Sequence, residues 1–281
     1  MHPAVLITVI VLGSLAALAV GMQLLRLYML MPGKRNDEMK KFTGIRYAHR
    51  GLHDGGRAEN SLSAFAAAKA RGYGIEFDLR LSSDGVLVVH HDASLARTCG
   101  IDARVIDKTA EELAALSLSG TPDGVPTFKQ LLELVDGSIP MLVELKQAVG
   151  ESGVAEAFLK EIEGYKGDFI VESFNPNVLR TIRRNRPEIL LGQLSYNYSK
   201  DEKFRGKPLF WLLERLYLNC LMRPDFISYE KTGFDVKTLL YIRRKFNTPL
   251  FAWTIQSAEE ERKAYGDGFD TVIFEGYIPE E

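Results

Sequence analysis

A chain of 281 residues, 46% of them apolar, can bury a large core and fits one large domain or two small ones. Thirty-five basic against 37 acidic residues give a net charge of −2, which excludes the overall positive bias of a nucleic-acid binder. The two cysteines, Cys99 and Cys220, are far apart with no CxxC, which excludes a disulfide framework and a thiolate zinc site.

The first element in the chain is apolar. Residues 3–25, PAVLITVIVLGSLAALAVGMQLL, carry no charge, and as a helix they reach across the ~30 Å of bilayer hydrocarbon. A cleaved signal peptide would place its basic residues before the apolar run; here Arg26, Lys34, Arg35, Lys40 and Lys41 follow it. The expectation is a single-pass anchor in the cell membrane over residues 1–31. The positive flank puts the rest of the chain on the cytoplasmic side. Residues 32–44 read as a polar linker and residues 45–281 as the globular domain.

From residue 45 short apolar runs recur: IRYAH (45–49), GIEFDL (74–79), MLVEL (141–145), FIVESF (169–174), LLGQLS (190–195), FISYE (226–230), LFAWTI (250–255) and TVIFE (271–275). Helical patterns lie between them. Ser61 caps a helix with Leu62, Phe65, Ala66 and Lys69 on one face, ended by Gly72. Thr127 with Gln130, and Ser257 with Glu260, form capping boxes, and Asn175-Pro176 is an N-cap followed by a first-turn proline. Strand–helix alternation predicts parallel strands, and eight units in this length predict a (β/α)8 TIM barrel. An open doubly wound sheet would carry a glycine-rich fingerprint after its first strand, and no GxGxxG is present.

DLRLSSDGVLVVHHD breaks the alternation. Asp84-Gly85 between alternating apolar residues signals a hairpin, and a connection that short cannot join parallel strands. VLVVHH is therefore expected as an antiparallel excursion from strand two that carries His90, His91 and Asp92 back over the mouth.

Working residues of a barrel sit at the C-terminal ends of its strands. There the sequence places His49 and Arg50, Glu76 and Asp78, Glu144 and Lys146, Glu172 and Ser173, and Trp253. Glu76 and Asp78 are two apart, so both face one side of their strand. Two inward carboxylates need neutralising: either by a divalent cation, with Glu144 as a third ligand, or by Arg50, Arg80 or Lys146 in a salt-bridged network. All-oxygen ligands suit Ca²⁺ or Mg²⁺. His49 and His91 suit a proton-transfer pair, and the planar fork of Arg50 suits a phosphate. Together these groups describe phosphodiester cleavage.

The ordered set AHRG, AENSLSAF, GIEFDLRLSSDGVLVVHHDASLART, LVELK, SF and AWTI closely resembles the glycerophosphodiester phosphodiesterase family over residues 45–278. The resemblance implies a barrel of that type, with His49 and His91 as catalytic histidines and Glu76, Asp78 and Glu144 as ligands of Ca²⁺ or Mg²⁺. It also implies Arg50 as the phosphate-contacting arginine and Lys146 as the lysine after the third carboxylate. His90 is the extra residue of HHD and is expected to stand outside the chemistry. Ala58 replaces the family's proline before Glu59-Asn60, Gln256 its asparagine after WT, and IFEGYIP its usual ending. These departures lie at the rim.

The implied activity is hydrolysis of a glycerophosphodiester to sn-glycerol 3-phosphate and an alcohol, with Glu59 and Trp253 helping Arg50 and Lys146 to hold the substrate. Which histidine takes the proton and which gives it stays open, with His49 favoured as the base. The alternative enzyme reading is lysophospholipase-D-like cleavage of a lysophospholipid; the alternative of another class is an inactive membrane-tethered binding module. Residues 208–222, PLFWLLERLYLNCLM, read either as a buried barrel-packing helix or as a surface that rests on lipid.

Overall fold

The computed structural model describes residues 2–231 and 237–280. The strands are β1 (Arg46–His49), β2 (Gly74–Leu81), β3 (Leu87–Val89), β4 (Met141–Leu145), β5 (Phe169–Ser173), β6 (Leu191–Ser195), β7 (Phe226–Glu230), β8 (Leu250–Ile255) and β9 (Thr271–Phe274). Eight of them pair in parallel in the order β1-β9-β8-β7-β6-β5-β4-β2, and the β1–β2 pairing closes the ring. This is the expected (β/α)8 barrel.

β3 is the expected excursion. It runs antiparallel on the outer edge of β2, with Leu79 opposite Val89 and Leu81 opposite Leu87. The turn is built by Gly85 at φ +77° and by the Ser82 hydroxyl, which accepts from Val86 N–H at 3.0 Å.

The caps mostly fall where expected. Thr127 and Gln130 form the full reciprocal box, and the Asn175 side chain accepts from Asn177 N–H at 3.0 Å. Ser257 accepts from Glu260 N–H, but the other half of that box is missing. The Glu260 carboxylate turns to Gln256 N–H and to Lys231 instead. The helix Ala110–Ala114, with its own Thr109–Glu112 box, had no counterpart in the expected elements.

The floor of the barrel is an apolar plug of Tyr47, Leu142, Ile170, Phe226, Phe251 and Ile273. Two strand glycines make room for its rings. A Cβ at Gly192 would stand 2.2 Å from the Phe226 ring, and one at Gly74 would stand 2.7 Å from Tyr47. Met39 and Phe42 complete the plug from below, both fully buried. Both lie in the segment 32–44, read from the sequence as a polar linker. The segment contains a helical turn, Asn36–Met39, and closes the barrel base. Its two apolar residues, three apart among charges, are too few for a periodic signal.

The first helix, Pro3–Leu30, has mean hydropathy 2.6 over its most apolar window, which is wholly exposed. It is, among the described residues, one helix long and apolar enough to cross a membrane. Its last residue, Leu30, is buried in the main core, and its carbonyl accepts from Asn219 Nδ2 at 3.3 Å. The 208–222 stretch divides between the two expected readings. Leu213, Leu216 and Met222 are buried, whereas Leu209, Trp211 and Leu221 are exposed.

Candidate active site

Register brings the acidic residues together at the C-terminal mouth. Across neighbouring strands Asp78 stands beside Glu144, Glu144 beside Glu172, and His49 beside Glu76. One carboxylate oxygen from each of Glu76, Asp78 and Glu144 lies within 4.8 Å of the others. All three side chains are buried, as is Glu172, which accepts from the Ser228 hydroxyl.

The basic groups facing this cluster are few. Lys146 Nζ lies 2.8 Å from Glu144 and 3.1 Å from Asp78, and Arg50 Nε lies 3.6 Å from Asp78. Burial, then the charges of Asp78 and Glu144, push Glu76 well above the usual carboxylate range. Burial pushes Glu144 up to about 7, with Lys146 opposing and Asp78 adding. Burial acts on Asp78 too, but Lys146, His91 and Arg50 outweigh it and hold that carboxyl well below its ordinary value. Asp78 Oδ1, although close to Lys146, has no aligned hydrogen bond. Crowded hard oxygens short of positive charge fit a divalent cation of the Ca²⁺ or Mg²⁺ kind.

The exit of β1 explains the HRG sequence. Arg50 takes φ 55° and Gly51 φ 81°, which turns the Arg50 N–H onto Glu76 at 3.0 Å. Left-handed backbone is costly for arginine and is held only where the surroundings over-determine it. Asn60 provides that, itself at φ 56°: its N–H donates to the Arg50 carbonyl at 2.9 Å and its amide to Asp78 at 2.8 Å. Glu59 stands behind Arg50, bonded to its guanidinium at 2.9 Å and to Arg97 at 2.6 Å. Burial pushes Glu59 up, but the Arg97 hydrogen bonds and the Arg50 charge outweigh it and hold it at about 2.

Both histidines are backed by a carboxylate. His49 Nδ1 lies 2.6 Å from Glu275, with Nε2 4.0 Å from Glu76. His91 Nδ1 lies 2.6 Å from Asp92, which Arg97 also holds at 2.6 Å. Burial lowers His49, against the Glu275 hydrogen bond. Burial lowers His91 to about 4, against the Asp78 charge. In each ring the carboxylate fixes Nδ1 and leaves Nε2 as the nitrogen that can exchange a proton. His90 is engaged elsewhere: its ring nitrogens meet the Thr98 hydroxyl at 2.6 Å and the Asp92 carbonyl at 2.8 Å.

A cavity of about 90 Å³ is lined by His49, Arg50, Glu76, His91, Glu144, Lys146 and Trp253, with Glu172, Phe174 and others. Of the nine expected site residues, Asp78 and Glu59 are absent from this lining. Asp78 lies beneath the wall, and two guanidinium groups take up Glu59. Two donors, Arg50 Nε and Trp253 Nε1, are buried without an aligned hydrogen-bond partner. Glu275 has no part in the sequence reading; it follows β9 in the unusual IFEGYIP ending and reaches His49 only through the closed ring.

A model of the glycerophosphoryl diester phosphodiesterase family matches residues 49–275. The chain belongs to that family. The glycerophosphodiester phosphodiesterase of Caldanaerobacter subterraneus subsp. tengcongensis is 28% identical over 228 residues, covering 76% of this chain and 87% of the relative. The mouse protein named glycerophosphodiester phosphodiesterase 1 is 30% identical over 182 residues, covering 58% and 54%. Among solved structures, the Thermotoga maritima glycerophosphodiester phosphodiesterase superposes with TM-score 0.64 at 27% identity, covering 83% of this chain and 95% of its own. An Oleispira antarctica phosphodiesterase, solved with its product sn-glycerol-3-phosphate, superposes with TM-score 0.70 at 24% identity, covering 84% and 94%. The last likeness concerns the fold. For this phosphodiesterase family member, the HRG, ExD, HD and ELK residues converge on one mouth.

Proposed function

We propose that the chain is a membrane-anchored phosphodiesterase that hydrolyses glycerophosphodiesters to sn-glycerol 3-phosphate and an alcohol. One observation carries the reading: three buried carboxylates, two carboxylate-backed histidines and two donors without an aligned hydrogen bond share a single mouth. Glu76, Asp78 and Glu144 would hold a divalent cation, Ca²⁺ or Mg²⁺. When bound it supplies positive charge for the phosphoryl oxygens.

The chain's own residues supply the rest. Arg50, positioned by Glu59, and Lys146 face the phosphate, and Trp253 donates at the wall. His49 is assigned as base: Glu275 holds its Nδ1 proton, so Nε2 receives one from the nucleophile, which is water, or the glycerol 2-hydroxyl with water then opening the cyclic phosphate to the monoester. His91 is assigned as acid: its protonated ring, which burial opposes but Asp78, the Asp92 hydrogen bond and the negative charge of the arriving phosphodiester favour, delivers the Nε2 proton to the oxygen of the leaving alcohol. The bond between phosphorus and that oxygen breaks. The helix Pro3–Leu30 anchors the enzyme in the cell membrane, and the basic flank from Arg26 to Lys41 orients the barrel to the cytoplasm.

The test is release of choline and sn-glycerol 3-phosphate from glycerophosphocholine by the purified chain. EDTA abolishes turnover and added Mg²⁺ or Ca²⁺ restores it. Full turnover in chelator sinks the metal assignment. No turnover under any ion favours a binding module instead.

A further inference from the structure

A second, larger cavity opens from the first. It has a volume of about 740 Å³, within the roughly 300–1,000 Å³ usual for ligand clefts. His91, Lys146 and Phe174 line both cavities, so the groove starts at the phosphate end of the catalytic mouth. Away from them its walls are mostly apolar: Tyr196, Tyr198, Phe204, Phe210, Leu213 and Leu218 outnumber the polar Asn175 and Asn177. A water-soluble diester headgroup has no use for such a wall.

The far end leads to the membrane anchor. Leu209 and Leu221 line the groove there and are 55% and 39% exposed. Asn219, in the same turn as Leu221, holds the carbonyl of Leu30 at the foot of the first helix. Arg223 also binds the Met31 carbonyl at 3.3 Å and lies over the Tyr28 ring. Exposed Trp211 stands on the same short helix as Leu209, and exposed Lys203, Arg205 and Lys207 precede it. Apolar and aromatic residues flanked by lysine and arginine are the signature of a surface at the lipid headgroup level.

We infer that this groove seats the single acyl chain of a lysoglycerophospholipid taken from the membrane, with its phosphodiester delivered to His49 and His91. The inference rests on the phosphodiesterase reading of the mouth. Water adds to phosphorus, the bond from phosphorus to the choline oxygen breaks, and choline leaves with a proton. The other product is 1-acylglycerol 3-phosphate.

The full chain in nanodiscs is given glycerophosphocholine, or 1-hexanoyl- or 1-palmitoyl-lysophosphatidylcholine. Specificity rises with chain length. Leu209→Glu together with Leu221→Glu lowers kcat/KM for the palmitoyl substrate roughly tenfold or more, since two apolar contacts are lost. The same variant leaves glycerophosphocholine turnover within about twofold. Separately, a lysophosphatidylcholine with a diazirine near its acyl terminus labels the helix Pro208–Glu214 and Phe204, and the variant abolishes that labelling.

Labelling without turnover of any substrate supports the groove and sinks the phosphodiesterase reading. Glycerophosphocholine turnover with labels confined to the first helix overturns the groove. Two further outcomes overturn it: chain-length-independent binding to lipid that the variant weakens, which makes the surface a membrane rest, and self-association that the variant dissolves, which makes it a contact between copies.

Discussion

His49 and His91 present the same device from different elements, a ring whose Nδ1 is held by a carboxylate at 2.6 Å. One sits at the end of a barrel strand and the other beyond the hairpin. Each proton transfer is worth ~10²–10⁴ in rate, so His49→Ala and His91→Ala each lower kcat by about that factor. Mg²⁺ binding measured by calorimetry persists in both, and the double variant loses less than the product because the two act as a unit. His90→Ala gives up the Thr98 bond and some stability, but keeps kcat. A dead His90→Ala beside an active His91→Ala would place the wrong ring in the mouth. Glu275 acts through His49. Its hydrogen bond raises the His49 pKa against burial, so Glu275→Gln lets that pKa fall further. The base is active when neutral, so the acid limb of kcat/KM moves to lower pH. The rate falls roughly 10–100-fold because the ring loses its orientation. A pH profile that keeps its acid limb unmoved would confine Glu275 to structure.

The strands were legible because parallel strands covered on both faces read as continuous apolar runs, and all eight lie within a residue or two of their expected ends. The hairpin was legible from one Asp-Gly step. The segment 92–126 was not: its helices, Ala96–Cys99 and Ala110–Ala114, are only four and five residues long, too short for periodicity. The carboxylate cluster followed from a spacing of two within a strand, whereas the contact between His49 and Glu275 spans 226 residues and depends on ring closure. Strand glycines carry their own test. Gly192→Ala drives a Cβ into a fully buried Phe226 ring and destabilises the fold by about 1–3 kcal/mol, read by urea unfolding. Phe226→Leu in the same chain recovers part of that loss; no recovery would mean the strain lies elsewhere. The clip between the β1 exit loop and the hairpin side is acid-sensitive. Glu59 falls from 4.5 to about 2 on folding, so its stabilisation is present above pH 4.5 and is lost as pH drops towards 2. Glu59→Gln is therefore less stable near neutrality and flatter across that window, compared by unfolding midpoints at several pH values.

At the scale of the whole molecule the question is where the first helix ends and the barrel begins. The first helix is exposed up to about residue 25, but Leu30 is buried in the main core and Met39 and Phe42 plug the barrel floor. The charges that argue for a cytoplasmic barrel are also partly built into it: Arg35 pairs with Glu38 and the Pro187 carbonyl, and Lys41 pairs with Asp168. A chain shortened to begin at residue 26 removes exposed apolar surface only. It is expected to be soluble without detergent, to unfold at the same urea midpoint as the full chain, and to retain glycerophosphocholine turnover. A chain shortened to begin at residue 44 removes Leu30, Met39 and Phe42 together. Each loss of a large buried side chain costs about 2–5 kcal/mol, and three of them reach the roughly 5–15 kcal/mol that holds a domain together. That chain is expected to be unfolded or aggregated and inactive, although every site residue is intact. Equal stability of the two shortened chains would mean that 32–44 is a tether after all and that the barrel floor closes without it.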